Sequence, residues 1–224
     1  MKLIKPYYEI ISPIKGDDIL KTLEKVARTC YKSEDKITED SAEKMIKILL
    51  SKKHEAMIEF FDIIVKFVCD RGVSHEIVRH RLASYAQEST RYCNYSKDKF
   101  ENQITFIIPS WCNIYESQWT HEQAISSNDL NGEINSLLWL QQMSWSEKVY
   151  NKLIKEGWQA QQARSVLPNS LKTEINVKMN LREWRHFFKL RCAQAAHPQM
   201  RELAIPLLNE FKEKIPIIFD DITY

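Results

Sequence analysis

The sequence has few glycines. Only Gly16, Gly72, Gly132 and Gly157 occur, far apart, so neither a P-loop nor a G-x-G-x-x-G turn can be written anywhere in the chain. A nucleotide, if one binds, is held by another device. The five cysteines, Cys30, Cys69, Cys93, Cys112 and Cys192, are scattered and form no C-x-x-C pair, which argues against a zinc knuckle or a dithiol motif and reads as reduced thiols. None of them follows a proline. Long apolar runs are missing as well. No stretch approaches the roughly 18 apolar residues that cross a bilayer, and Met1 to Pro6 lacks a signal-peptide core, so the expectation is a soluble, cytoplasmic protein with no membrane partner. Charge of one sign is also absent. With 32 basic and 30 acidic residues the net charge is +2, too small a field to collect nucleic acid, so any anion site must be local.

What is present suits a single domain over residues 1–224: 44% of the residues are hydrophobic, enough for a sizeable core. A strand is expected at Tyr8 to Ser12. Helices are expected from Asp17 or Asp18 to about Cys30, and from Thr38 to Ser41 through Ala42, Met45, Ile46 and Leu49. Phe61 to Cys69 reads as a half-buried strand broken by Gly72. Ser74 then suits the N-cap of a helix carrying Ile77, Val78, Arg81 and Leu82, and Gln103 to Ile108 suits a strand ended by Pro109. The polar stretch Ser126 to Glu133 reads as a surface loop. A long helix follows from Glu133 to Glu156, ended by Gly157, and a shorter one reaches Leu167 before Pro168. The remainder reads as a strand at Thr173 to Met179, a helix capped by Asn180 and a final helix opened by Pro198. The class is α+β, without the alternation of a doubly wound sheet. The tryptophans, including Trp139, Trp145, Trp158 and Trp184, are expected in the core.

The densest polar cluster runs Arg79-His80-Arg81-Leu82-Ala83-Ser84-Tyr85-Ala86-Gln87-Glu88-Ser89-Thr90-Arg91-Tyr92. Three adjacent basic residues need an anion if partly buried, and a phosphate is the obvious candidate. On a helix their side chains point about 100° apart, so they serve different groups or different subunits. Ser89, Thr90 and Arg91 offer hydroxyls, backbone N–H groups and a guanidinium fork for a second phosphate. Composition alone leaves other readings open. One is a solvated basic helix end paired with Glu76 or Glu88. Another is a serine nucleophile, Ser84 or Ser89, beside His80, though no elbow glycines surround it and flanking cations disfavour His80 as a base. A third is a grip on single-stranded nucleic acid by Arg79, Arg81 and Arg91 interleaved with Tyr85, Tyr92 and Tyr95. No metal is expected: His75-Glu76 fails the H-E-x-x-H spacing because position 79 is Arg, and His121 and His197 have no paired ligands.

The spaced pattern of Arg79, His80, Arg81, Ser84, Ser89, Arg91 and Tyr92 resembles the signature of the flavin-dependent thymidylate synthases. The resemblance covers the chain from about His54 to the last helix. Ala163-Arg164-Ser165-Val166-Leu167-Pro168 is similar to the family's Ala-Arg-x-x-Leu-Pro segment, and Leu190-Arg191 to its Leu-Arg. It implies one mainly helical α+β domain around a central, largely antiparallel sheet, assembled as a homotetramer with active sites at subunit interfaces and with no nucleic-acid partner. It implies FAD as cofactor, with NADPH and 5,10-methylenetetrahydrofolate as co-substrates, and conversion of dUMP to dTMP without a cysteine nucleophile. By the same resemblance FAD is contacted by His54, Ala56, Arg79, His80, Arg81, Gln87, Asn180, Arg182, His186 and His197. The dUMP contacts are Glu76, Ile77, Val78, Arg79, Gln87, Glu88, Ser89, Thr90, Arg91, Arg164 and Arg191, with Arg191 as the catalytic activator of the uracil ring. Glu76 stands where many members carry Gln, and His186 where some carry Asn.

Overall fold

The computed structural model describes residues 1–128 and 133–224, so part of the expected loop at Ser126 to Glu133 lies outside the described residues. In chain order the strands are β1 (Lys2–Ile4), β2 (Tyr7–Ile10), β3 (Asp62–Asp70), β4 (Ala83–Gln87), β5 (Thr105–Ile107), β6 (Ser117–Gln118) and β7 (Lys172–Asn180). The helices are α1 (Gly16–Thr29), α2 (Ser41–Ser51), α3 (Arg71–Ile77), α4 (His121–Ser126), α5 (Ile134–Lys155), α6 (Ala160–Ala163), α7 (Leu181–Arg191), α8 (Pro198–Lys214) and α9 (Pro216–Phe219). The class is α+β as expected, about half helical, with one mixed and one antiparallel sheet. No helix among the described residues is long and apolar enough to cross a membrane.

Two compact units emerge. The first comprises residues 1–7, 67–77 and 86–175. Its three-stranded sheet has the order β5-β1-β6, with β1 parallel to β5 and antiparallel to β6. Leu3, Phe106, Leu140, Met143, Tyr150 and Leu171 form its core. The long helix α5 ends where the sequence predicts. Gly157 takes φ +96°, Gly157 N–H donates to Ile154 C=O and Trp158 N–H donates to Leu153 C=O, the paired closure that a left-handed residue permits.

One expected element is wrong. Ser74 does not cap a helix running to Leu82; Asp70 caps α3 instead, its carboxylate accepting from Val73 N–H at 2.6 Å, and α3 stops at Ile77. Residues 78–82 form a turn, and Ala83–Gln87 is the strand β4, lying beside β7. The apolar spacing of residues 77–82 is that of a helix, but pairing with a long neighbouring strand overrides a weak local preference.

The second unit comprises residues 8–66, 78–85 and 176–224. In it the strands lie in the order β2-β3-β7-β4. Helices α7 and α8 bring together Trp184, Phe187, Phe188 and Phe211, with Phe219 of α9, all fully buried. Trp184 stacks on Phe188 at 5.7 Å and donates its indole N–H to Ile63 C=O at 3.2 Å. Helix α1 begins against the end of α8: a Cβ at Gly16 would collide with the Lys214 carbonyl oxygen, so the close approach requires glycine. The expectation for tryptophan holds only in part. Trp184 is core and Trp119 and Trp139 pack against the first unit's core, whereas Trp111, Trp145 and Trp158 are 59%, 47% and 45% exposed.

Arg185 is buried, and its guanidinium forms a two-pronged pair with Asp221, at 2.6 and 2.7 Å, besides donating to Ile218 C=O. Hydrogen bonding from Arg185 holds the Asp221 carboxyl below the usual carboxylate range. Because Asp221 is itself 59% exposed at its side chain, screening reduces the value of the pair. Asp221→Asn is expected to lower stability by about 1 to 2 kcal/mol at pH 7, measured by chemical denaturation. The sign follows from the depressed native value. The contribution is present above the unfolded carboxylate's range and lost as pH falls through the native one, so the two proteins converge in stability toward strongly acid pH.

Candidate active site

The signature residues are distributed over a turn and a strand. In β4 the exposure alternates, so Tyr85 and Gln87 are half-buried while Ser84 and Ala86 are exposed. In the turn before it, His80 is buried between exposed Arg79 and Arg81. The helix from which their divergence was expected is not there, since α3 ends at Ile77; what the turn does is bury His80 and leave Arg79 and Arg81 exposed.

In the second unit His80 is the centre of a polar cluster. Arg191, the last residue of α7, donates its Nε–H to His80 Nε2 at 3.0 Å. On the other side of the ring, Nδ1 lies 3.3 Å from Glu183 Oε1. A guanidinium only donates, so Nε2 must carry the lone pair and the proton is assigned to Nδ1, where it is donated to Glu183. The Tyr85 hydroxyl donates to the His80 carbonyl oxygen, and Phe187 and His186 pack on the ring at 5.0 and 5.5 Å. Burial, then the Arg191 charge and His186, hold the His80 pKa down to about 4. The imidazole is therefore neutral at physiological pH. Burial also pushes the Glu183 carboxyl up and the Tyr85 phenol up to about 12.

This geometry disposes of two readings. Both ring nitrogens of His80 are engaged by Arg191 and Glu183, so His80 is no base for a serine. Ser84 is also not one helical turn away, because it lies on a strand. His80, Glu183 and His186 do offer donor atoms within 4.8 Å of one another, a grouping that His75-Glu76 and its spacing do not reveal. The lone pair that His80 would give a cation is the one already accepting from a guanidinium, which makes the trio a poor metal centre.

Asn180 caps α7, accepting from Glu183 N–H at 2.8 Å. With Arg182, Glu183, His186 and Lys189 it lines an open cleft of about 460 Å3, bordered by Leu82. Arg182 is paired there with Glu59 at 2.6 Å and lies 3.7 Å from Glu55. His54 and Ala56 line a different, apolar pocket of about 250 Å3 with Cys30, Tyr31 and Leu49. Three of the expected cofactor residues, Asn180, Arg182 and His186, are thus gathered in one cleft, while His54 and Ala56 line another. His197 is exposed at the start of α8.

The first unit gathers the rest of the signature. Gln87 donates to Ser74 Oγ at 2.9 Å and Thr173 Oγ1 at 3.2 Å. Glu88 accepts from Tyr95 at 2.8 Å and pairs with Lys172 at 3.0 Å. The Ser89-Thr90-Arg91 turn faces the segment that carries Arg164: Arg164 Nη1 donates to Thr90 Oγ1 at 3.1 Å, and Arg91 Nε donates to Gln161 Oε1 at 3.3 Å. Both guanidinia are held by neutral oxygens, and among the described residues neither has a carboxylate partner, unlike Arg28, Arg182 and Arg185. Two guanidinium forks anchored across the same two segments and free of carboxylates have the chemistry that an anion would pair with. The aromatic platform for nucleic acid is not displayed: Tyr95 is 4% exposed and Tyr85 is tied to His80, which leaves Tyr92 at 75%. Of the residues expected near the nucleotide, Ile77 is fully buried, Val78 is exposed and Glu76 is half-buried.

Residues 14–217 match the protein family described as thymidylate synthase complementing protein. The chain belongs to the flavin-dependent thymidylate synthase family. A relative from Pyrococcus horikoshii named flavin-dependent thymidylate synthase is 35% identical over 188 residues, 82% of this chain and 70% of its own length. Those bearing the same name from Pyrococcus furiosus and Geobacter sulfurreducens are 32% and 30% identical, over 80% and 87% of this chain. The match spans 66% of the Pyrococcus furiosus protein, just under two thirds of its length. Within the flavin-dependent thymidylate synthase signature, the features that sequence reasoning missed are the ring partners of His80. Glu183 sits three residues after the cap Asn180, a spacing that signals a helix start, but nothing in the sequence tells that its side chain turns to a histidine about a hundred positions away.

Proposed function

We propose that the chain methylates dUMP reductively to dTMP, with 5,10-methylenetetrahydrofolate as carbon donor, NADPH as reductant and FAD as cofactor. It works as a homotetramer whose chains share each active site. The observation that supports the reading beyond family membership is the pair of guanidinia held without acidic partners among the described residues, Arg91 in the Ser89-Thr90-Arg91 turn and Arg164 against Thr90 of that turn. That arrangement suits the phosphate of a nucleotide.

FAD fits the donor set of the α7 cleft. Lys189 and the Asn180 amide suit a diphosphate, with Arg182 joining them by exchanging its Glu59 and Glu55 partners, and Leu82 adds an apolar edge. Once bound and reduced by NADPH, the flavin would supply the hydride that reduces the transferred carbon. The chain's own residues bind, orient and stabilise charge. Arg191, tethered to His80, faces negative charge developing at N3 and O4 of uracil when C5 becomes nucleophilic, which is electrostatic activation and not proton abstraction. A cysteine nucleophile is not needed, and burial raises the Cys69, Cys93, Cys112 and Cys192 thiols, which leaves little thiolate.

The test is direct. Purified, flavin-reconstituted protein is expected to form dTMP anaerobically from dUMP only when both the folate donor and NADPH are present. Absence of product with all components would overturn the reading.

A further inference from the structure

The Arg191 tether is unusual in its acceptor. A guanidinium near a helix end commonly finds a carboxylate or a carbonyl; here its inner nitrogen, Nε, meets the lone pair of a neutral imidazole at 3.0 Å. Such a bond exists only in one tautomer. With the proton on Nε2 instead, two donors would face each other and the guanidinium would be driven off. Glu183 is what selects the tautomer, because its carboxylate, 3.3 Å from Nδ1, accepts the proton there.

Nothing about folding calls for a carboxylate at that position. The cap of α7 is supplied by Asn180, and Glu183 is only 7% exposed, so its burial carries a desolvation cost that an apolar residue would avoid. His80 is equally constrained, 3% exposed, with its carbonyl held by Tyr85 and its ring packed on Phe187. The titratable and charged groups around the ring are Glu183, His186, Arg191 and Tyr85, and in their presence the imidazole stays neutral down to about 4. Its lone pair therefore accepts from Arg191 throughout the physiological range. The bond occupies Nε and does not involve the two terminal nitrogens that make the planar fork.

We infer that Glu183 is a positioning residue, acting through the His80 tautomer to aim the Arg191 guanidinium at the pyrimidine. This rests on the proposed role of Arg191 toward uracil. It extends that role by a carboxylate and an imidazole that align the guanidinium without touching the reacting atoms. Removing a partner of this kind typically costs about 10- to 100-fold in activity.

The test uses the whole protein and has two arms. In the first, nitrogen-15 NMR of histidine-labelled protein at neutral pH is expected to show His80 protonated at Nδ1 in the wild type and shifted toward Nε2 in Glu183→Leu. A wild-type ring protonated at Nε2 would overturn the inference whatever the protein catalyses. In the second, Glu183→Leu is expected to lower kcat for dTMP formation about 10- to 100-fold, with a smaller change in the KM for dUMP. Glu183→Gln, whose amide oxygen still accepts from Nδ1, is expected to recover most of the loss. In an Arg191→Lys background the Glu183→Leu change should have little further effect, because two residues acting through one contact are not additive. Losses that multiply, or equal loss in the Gln and Leu variants, would overturn the positioning role. If the wild type makes no dTMP, the proposed function fails by itself, and the tautomer arm still decides whether Glu183 sets His80.

Discussion

Replacing Arg191 by lysine is expected to slow single-turnover dTMP formation by about 10²- to 10³-fold at saturating dUMP and folate, with a much smaller loss of dUMP affinity. Lysine keeps the charge but has one nitrogen in place of a planar fork, so N3 and O4 cannot be met together. It also has no inner N–H for the His80 lone pair, which the arginine uses at 3.0 Å. The prediction separates two roles that a static contact confounds. A group that stabilises charge arising only on the way to the transition state governs the rate, whereas an anchor binds ground and transition states alike and governs affinity. Pre-reduced enzyme mixed with dUMP and folate, followed over one turnover, gives the rate, and titration of dUMP alone gives the affinity. A normal rate with weakened binding would make Arg191 a clamp, and Arg79 the next candidate for activator.

The opposite pattern is expected at the phosphate. Arg91→Ala should weaken dUMP binding by about 1.5 to 3 kcal/mol, roughly 10- to 100-fold in Kd, while turnover at saturation changes little. Among the described residues the Arg91 guanidinium is held by the Gln161 amide oxygen and by packing on the Tyr92 ring at 5.3 Å, so its removal strands no buried acid and is expected to leave the fold intact. FAD binding should be spared, since the residues of the α7 cleft proposed to hold the cofactor belong to other elements. Calorimetric titration with dUMP, beside flavin absorbance as a measure of retained cofactor, reads both. Unchanged dUMP affinity would remove Arg91 from the site, and parallel loss of flavin would point to a disturbed fold or assembly.

Much of the architecture was legible because local signals agreed with the tertiary outcome. Helices α1, α5, α7 and α8 carry apolar residues at helical spacing and end or begin on residues suited to it: Gly157 closing α5, Asn180 capping α7 and Pro198 opening α8. The strand β4 was not legible. Its sequence, Ala-Ser-Tyr-Ala-Gln, has no run of β-branched residues, and the preceding apolar residues sit at helical spacing, so only the neighbouring β7 makes it a strand. β1 and β6 are three and two residues long, below the length at which alternation can be recognised.

The site divided along the same line. Residues that act within one short segment, such as the Ser89-Thr90-Arg91 turn, could be read from their chemistry, and the family resemblance added Arg164 and Arg191. What could not be read is what holds them. The partners of His80 come from α7, and the oxygens that anchor Arg91 and Arg164 come from Gln161 and from Thr90. A hydrogen bond between residues far apart in the chain leaves no periodicity behind.

The alternation along β4 gives the signature's spacing a mechanical meaning. Midway between His80 and Ser89, residues 83–87 form a strand whose odd residues turn one way and whose even residues turn the other. A loop of that length could gain or lose a residue at small cost. A strand cannot, because a shift by one position exchanges its faces. Tyr85 would leave the His80 carbonyl and Ser84 would take its place, with a hydroxyl too short to reach. The intervals in the motif are thus ruler marks: the unnamed positions count as much as the named ones, because they set which side of the strand each named residue faces.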